Sequence, residues 1–425
     1  MLTTQALLLA AAGCDAPLDG SGGSGKVSDT TVLTSALTTP FTTPATTWEA
    51  TAVASDRVFN VWLANTSTGL QVVGQMFNLS GTALGAAQVY TNTAHQKFQP
   101  TVAYNGAGKF LVAYTDAYSS TDDDVLGFIT DVNGNLLTSM NIDFSTSVEQ
   151  MPQATYISTG INKFLVTYER NGASGANDLV LAAQIDTTGT VTTRATIYSS
   201  PNLEINPQAA YSVSTQRIMF AWTQGNDSLA FVFASTSLAV GTVQTYNPPA
   251  LHMYEYQSLV YQPNAEGMGL AFLEEEPFVD TGRRVRLFTF NRGCEALSCM
   301  NPEIATGITT SSTITYVNGP HITALGSQYA IHAGQAGSGI ANGRSIKFSA
   351  FSSTGTLLAY SNQFVPSCPS ALTDQLGYQY YVQAGSDTAA NVTNLVYDTF
   401  CPNYGKVRGQ IETPSYSETN YAISD

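Results

Sequence analysis

The chain predicts an all-β fold, a seven-bladed β-propeller of four-stranded antiparallel blades. A strand-sized phrase recurs with a period of about 50 residues, which suits a unit that buries its faces only when neighbours stack on it. The recurring segments alternate at period two and are rich in β-branched and aromatic residues. Short turns carrying Asn or Asp with Gly separate them, as tight hairpins require.

Seven residues open the copies: Trp48, Pro100, Pro152, Pro207, Gln257, Pro320 and Gly377. Four positions on stands Tyr104, Tyr156, Tyr211, Tyr261 or Tyr381, with Ala52 and Ala324 in the other two copies. A second apolar strand follows, clearest in Phe110-Leu-Val-Ala-Tyr114, Phe164-Leu-Val-Thr-Tyr168 and Ile218-Met-Phe-Ala-Trp222. Tyr114, Tyr168 and Trp222 are expected in the core between blades. The third strand is seen in Val125–Ile129 and Val285–Phe290, and turns such as Asn78–Gly81, Asp131–Gly134, Asp186–Gly189 and Ser352–Gly355 end it. The propeller spans 30–425. Because Leu33–Phe41 resembles the fourth-strand segment Leu137–Phe144, a strand at about 31–43 is expected to close the ring on the last blade. The alternative is that the tail from Tyr416 to Asp425 supplies the last blade's outer strand.

Composition excludes several functions. Only 11% of residues are charged and the formal net charge is -15, against nucleic acid and against an anionic membrane surface. Apolar and aromatic content is ample for a core, so disorder is excluded. The segment 1–14 contains the apolar run Leu7-Leu-Leu-Ala-Ala-Ala-Gly-Cys14, and a Gly/Ser-rich linker occupies 15–29. The run resembles a bacterial lipoprotein signal, which implies lipidation of Cys14, although no Lys or Arg precedes it. It is too short to span a bilayer, so membrane contact is expected only through the lipid. Of the five cysteines, four then remain, and two disulfides are expected, Cys294 with Cys299 and Cys368 with Cys401. Buried free thiols are the alternative.

Candidate chemistry lies where the repeat breaks. Asp122, Asp123 and Asp124 form an acidic loop that, with Asp116, offers hard oxygen ligands; a weak calcium site at Asp116, Asp122 and Asp124 competes with a solvated loop. No other cofactor is expected. Glu274, Glu275 and Glu276 follow one strand, and Arg283, Arg284 and Arg286 open the next, so cross-strand ion pairs of small energetic effect are expected. The histidines, His95, His252, His321 and His332, have no ligand-like spacing, although His321 and His332 share one blade. Nucleophile-elbow, phosphate-loop and zinc-protease motifs are absent from the sequence.

The phrases Pro-x-x-x-Tyr, Phe-Leu-Val-x-Tyr and Asp-x-x-Gly-Asn resemble propeller-type repeats of secreted and surface-anchored bacterial proteins. That resemblance implies a fold and an exported, cell-envelope address, but no site residue. The resulting expectation is a non-catalytic surface module binding a protein, a glycan or its own copies through the Asp122–Asp124 and Glu274–Glu276 loops. The alternative is a carbohydrate-active hydrolase or lyase with carboxylates in the central channel. The two differ in one observable: the enzyme needs acidic residues of different blades within about 10 Å at a channel mouth, whereas inner-strand ends of only Ser, Thr and Asn would exclude it.

Overall fold

The structure is a computed structural model. It describes residues 35–36, 49–364 apart from 173–176, 226, 250–251, 277–281, 297, 299, 315, 318 and 338–343, and the segments 382–387, 392–401, 404–412 and 418–422. Cys14, Cys299, Cys368 and the openers Trp48 and Gly377 lie outside the described residues, as does the side chain of Cys401. Cys294 is disulfide-bonded.

The fold is an all-β propeller of mostly four-stranded antiparallel sheets. Its strands run as successive units. Unit 1 holds Glu49–Val53, Arg57–Thr66, Gly69–Asn78 and Gln88–Val89, and unit 2 holds Gln96–Tyr104, Lys109–Ser119, Asp122–Asp131 and Leu136–Asp143. Unit 3 holds Val148–Ile157, Lys163–Asn171, Asp178–Asp186 and Val191–Ser200; unit 4 holds Glu204–Ser212, Arg217–Gln224, Ser228–Ser235 and Gln244–Tyr246. Unit 5 comprises Met253–Gln262, Gly267–Glu275, Arg283–Phe290 and Ile304–Thr309. In unit 6 the first strand is split into Tyr316–Val317 and His321–Leu325, followed by Gln328–Ala336, Arg344–Ser352 and Leu357–Phe364. Unit 7 comprises Val382–Asp387, Val392–Cys401, Tyr404–Glu412 and Glu418–Ala422.

The core lies in the seams between units. Phe59, Val61 and Leu63 of unit 1 pack with Phe110, Val112 and Tyr114 of unit 2, whereas Leu111, Ala113 and Val125 on the other face of unit 2 pack with Phe164, Val166 and Tyr168 of unit 3. Alternation along each strand feeds both seams at once. Trp222 likewise lies between units 3 and 4.

The opening residues have a specific cause. Gln99, Met151, Asn206 and Tyr256 adopt left-handed backbone, with φ of 48°, 56°, 54° and 49°, and Pro100, Pro152, Pro207 and Gln257 follow them. Each pair marks a bulge in a first strand. Proline has no N–H to give the ladder and is tolerated where the ladder is interrupted. These bulges tie neighbours together. Gln99 accepts from the Met151 N–H at 2.9 Å, Glu169 from the Asn206 N–H at 2.9 Å, and Ser258 Oγ from the Ile322 N–H at 3.2 Å. First strands therefore stand side by side in units 2 and 3 and in units 5 and 6.

The ring-closing expectation is corrected. Ser35 and Ala36 pair with Val89 and Gln88, on the outer edge of unit 1, while the last unit takes its fourth strand from Glu418–Ala422. A short hairpin costs less closure entropy than recruiting a strand from the far end of the chain. Units 1 and 7 meet by packing: Val53 and Val58 cluster with Val392. At Gly385 a Cβ would stand 2.5 Å from the Thr51 carbonyl oxygen and 3.1 Å from the Ala52 Cα. Gly385→Ala should therefore open this seam and lower stability by about 1–3 kcal/mol in urea titration; an unchanged midpoint would contradict the seam.

Candidate active site

Up-and-down topology gives the disc two unlike faces. One gathers the third-to-fourth-strand turns, where the repeat is strongest: Asp131 Oδ1 accepts from the Asn133 and Asn135 N–H groups at 2.8 and 2.9 Å, and Asp186 does the same for Thr188 and Thr190. The opposite face gathers the starts of the first strands and the second-to-third-strand hairpins. Non-repeating charge collects there.

At the start of three successive first strands a buried ionisable residue sits three positions before the opener: Lys97, Glu149 and Glu204. Each is bonded to a hydroxyl four residues earlier, from Thr93, Ser145 and Ser200 respectively. Sequence reading missed these residues. The signal that could have found them is a Ser or Thr four residues before a charge, at fixed distance from the opening proline.

The units 2 and 3 share a further contact, because Asp123 and Val148 pair as parallel strand neighbours and join both units into one sheet. The Asp122–Asp124 triplet is therefore corrected from a loop to the start of a strand, opposite Asp116, Ala117 and Ser119. Asp116 and Asp124 face each other across the ladder, and Asp123 points to the other face. Val125, on the same face as Asp123, packs in the seam with unit 3, so Asp123 is directed there too.

In that seam Arg170 joins two carboxylates of different units: its Nη2 donates to Asp143 Oδ2 at 2.8 Å and its Nε to Glu149 Oε1 at 2.7 Å. The Tyr168 hydroxyl donates to Asp143 Oδ2 at 2.8 Å, and Ser145 Oγ to Glu149 Oε1 at 2.5 Å. Glu149 is fully buried and, among the described residues, its Oε2 has no hydrogen-bond partner. Burial raises the Glu149 carboxyl above its ordinary range, against the pull of Ser145 and Arg170. Asp123 is half-buried and is pushed up to about 6, by burial first and then by Asp122, Asp124 and Asp116. Glu169, in the next seam, accepts from Gln150 Nε2 at 2.8 Å and from the Asn206 N–H, and burial pushes it up to about 7.

The calcium expectation is corrected as well. Asp116 is taken by Lys97 Nζ at 2.6 Å and by His95 Nδ1 at 3.0 Å, and among the described residues no group of three or more His, Cys, Asp or Glu could hold a metal. Although burial opposes it, those hydrogen bonds and the Lys97 charge leave Asp116 below the usual carboxylate value.

The Glu274–Glu276 hairpin forms the expected cross-strand pairs, Glu274 with Arg284 and Glu275 with Arg283. Glu274 is buried, however, and also accepts from His252 Nδ1 at 2.5 Å and Arg286 Nε at 2.6 Å. Glu274 is a structural node of this hairpin. His321 and His332 are direct cross-strand partners, and His332 packs on Phe348 at a ring separation of 5.1 Å.

No protein-family profile matches the chain, and no curated protein matches it either. Solved structures do. A prolyl endopeptidase superposes with a TM-score of 0.51 at 9% identity, over 91% of this chain and 50% of the other, so the chain spans half the length of that enzyme. A Hadza microbial sialidase gives 0.46 at 9% identity over 67% and 62%, and an α-L-arabinofuranosidase from Lactobacillus brevis gives 0.40 at 9% over 62% and 93%. At such identity the likeness speaks for the fold.

The expectation of a non-catalytic module is corrected. The condition that would exclude catalysis is not met, because the first-strand ends carry Lys97, Glu149 and Glu204 rather than only Ser, Thr and Asn. Asp123 and Glu149 come from different units, and the pairing of Asp123 with Val148 sets the neighbouring strands about 4.8 Å apart.

For Asp123 the folded-state value stands above the ordinary 3.8, so the folded protein holds this proton more tightly than the unfolded chain. Its contribution to stability is fully present below about pH 4 and is lost as pH rises through about 6. The Asp123 carboxyl resonance should titrate near 6, and Asp122→Asn should lower that midpoint; a midpoint near 4 in the native protein would refute the assignment.

Proposed function

We propose that the protein is a carbohydrate-active hydrolase whose acid–base carboxylates lie in the seam between units 2 and 3. The observation that carries this reading is the set of buried ionisable residues at the starts of successive first strands, Lys97, Glu149 and Glu204, on the face that also holds Asp123 of unit 2, whose strand pairs with the first strand of unit 3. Glycosidic cleavage needs one carboxyl that still holds its proton and one carboxylate that activates water or attacks. Asp123, pushed up to about 6, suits the acid. It donates its proton to the glycosidic oxygen as the bond from that oxygen to the anomeric carbon breaks. Glu149 is assigned the base, with its Oε1 held by Arg170 and Ser145. Arg170 and Tyr168 act as positioning residues through Asp143 and Glu149.

Assays on a panel of plant, microbial and host glycans should detect release of reducing ends. Asp123→Asn and Glu149→Gln should each lower kcat/KM by about 10²–10⁴-fold. Activity should fall as pH rises through about 6, since the acid must be protonated in the free enzyme. Full activity in both variants would exclude this site.

The apolar run ending at Cys14 supports export and a lipid anchor at the bacterial cell envelope, where such an enzyme meets extracellular glycan. Cys14→Ser should move the protein from the membrane to the soluble fraction, and unchanged fractionation would remove the anchor.

A further inference from the structure

We propose that His95 is the proton-transfer residue of a second centre, in unit 2, which uses water to hydrolyse an uncharged acyl ester. Neither Asp123 nor Glu149 takes part, so this centre stands apart from the glycosidic reading.

His95 stands five residues before the opener Pro100, and His252 stands five before Gln257. Each places Nδ1 on a buried carboxylate near the end of its unit's second strand, His95 on Asp116 Oδ2 at 3.0 Å and His252 on Glu274 Oε1 at 2.5 Å. Those carboxylates are repeat-equivalent, because Asp116 pairs with Lys97 in the ladder as Glu274 pairs with Tyr254. Two residues further on, the units part. Unit 5 has Glu276, whose Oε1 lies 3.5 Å from His252 Nε2, whereas unit 2 has Tyr118, whose ring stands edge-on to the His95 imidazole at 4.9 Å. The His95 side chain is 33% exposed, and among the described residues its Nε2 has no hydrogen-bond partner. Lys97 Nζ donates to the other Asp116 oxygen at 2.6 Å, and although burial opposes it, the bonds from His95 and Lys97 keep this carboxyl ionised. A carboxylate only accepts, which puts the proton of the neutral ring on Nδ1 and leaves the Nε2 lone pair open.

An imidazole oriented in this way can take a proton from water and return it to a leaving group. The water oxygen bonds to the acyl carbon as its proton passes to Nε2. The bond from that carbon to the alcohol oxygen then breaks, and the alcohol leaves with the same proton. Acid and alcohol form, one water is consumed, and nothing is oxidised or reduced. Asp116 is the positioning residue. Asp122 and Asp124 begin the neighbouring strand, Asp124 opposite Asp116, so a phosphate or sulfate ester would be repelled and an uncharged acyl ester is favoured.

The full-length protein should hydrolyse p-nitrophenyl acetate about 10²-fold or more faster than free imidazole at the same concentration. His95→Ala should remove that excess, while His252→Ala, whose histidine is closed by Glu276, should keep it. Nitrogen NMR should find the native His95 ring in its Nδ1–H tautomer, and Asp116→Asn should lose that signature together with most of the rate. Should either unit 2 variant fail to fold, the native protein still decides: diethyl pyrocarbonate should acylate His95 before His252, His321 and His332, and the rate should fall in step with that acylation. A rate no higher than that of free imidazole, an excess that survives in His95→Ala, or acylation of His95 without loss of rate would overturn the inference.

Discussion

Everything in this molecule depends on the fact that a four-stranded sheet with two apolar faces cannot exist alone in water. Phe110, Val112 and Tyr114 face unit 1 while Leu111, Ala113 and Val125 face unit 3, so unit 2 is covered only when both neighbours are present. The same holds around the ring to the seam of Val53, Val58 and Val392. Burial of this kind is the dominant favourable term in folding, and it makes each seam a flat, rigid boundary on which side chains can be fixed.

That constraint also sorts chemistry by position. Within the seams of units 2 to 4 the middle is mainly apolar, and buried ionisable groups such as Lys97, Asp143, Glu149 and Glu204 sit near the ends of strands. They are then held by partners: Asp143, Glu149, Arg170 and Tyr168 form one bonded group, and Glu274 with His252, Arg284 and Arg286 forms another. The two groups differ in what they leave over. Glu274 is lowered by its cations despite burial and is saturated. Glu149 is raised and, among the described residues, keeps one oxygen unsatisfied, and Asp123 of the adjoining unit is itself raised. Carboxyls with shifted proton affinity at a seam mouth are what acid–base chemistry uses.

The candidate site was only half legible in the sequence. The acidic run Asp122–Asp124 stood out by composition, but its strand pairing with Val148 did not, because parallel neighbours from separate units share no local pattern. Glu149 drew no attention as a lone acid before a proline. Its importance comes from Arg170 and Asp143, which are distant in sequence and adjacent only through the seam. The calcium expectation overlooked Lys97 and His95, which close on Asp116 through the same kind of long-range register.

The sequence by itself determined the strands, the turns, the core positions and the repeat, since each follows from local periodicity and from turn residues such as Gly134 and Gly189 at φ of 84° and 96°. Tertiary structure alone decided which end of the chain completes the last unit, which face collects charge, and which carboxylates meet. The physical reason is distance along the chain. Alternation and turn geometry act over a few residues, whereas the field at Asp123 and the buried state of Glu149 are set by neighbouring strands and units brought together only on folding.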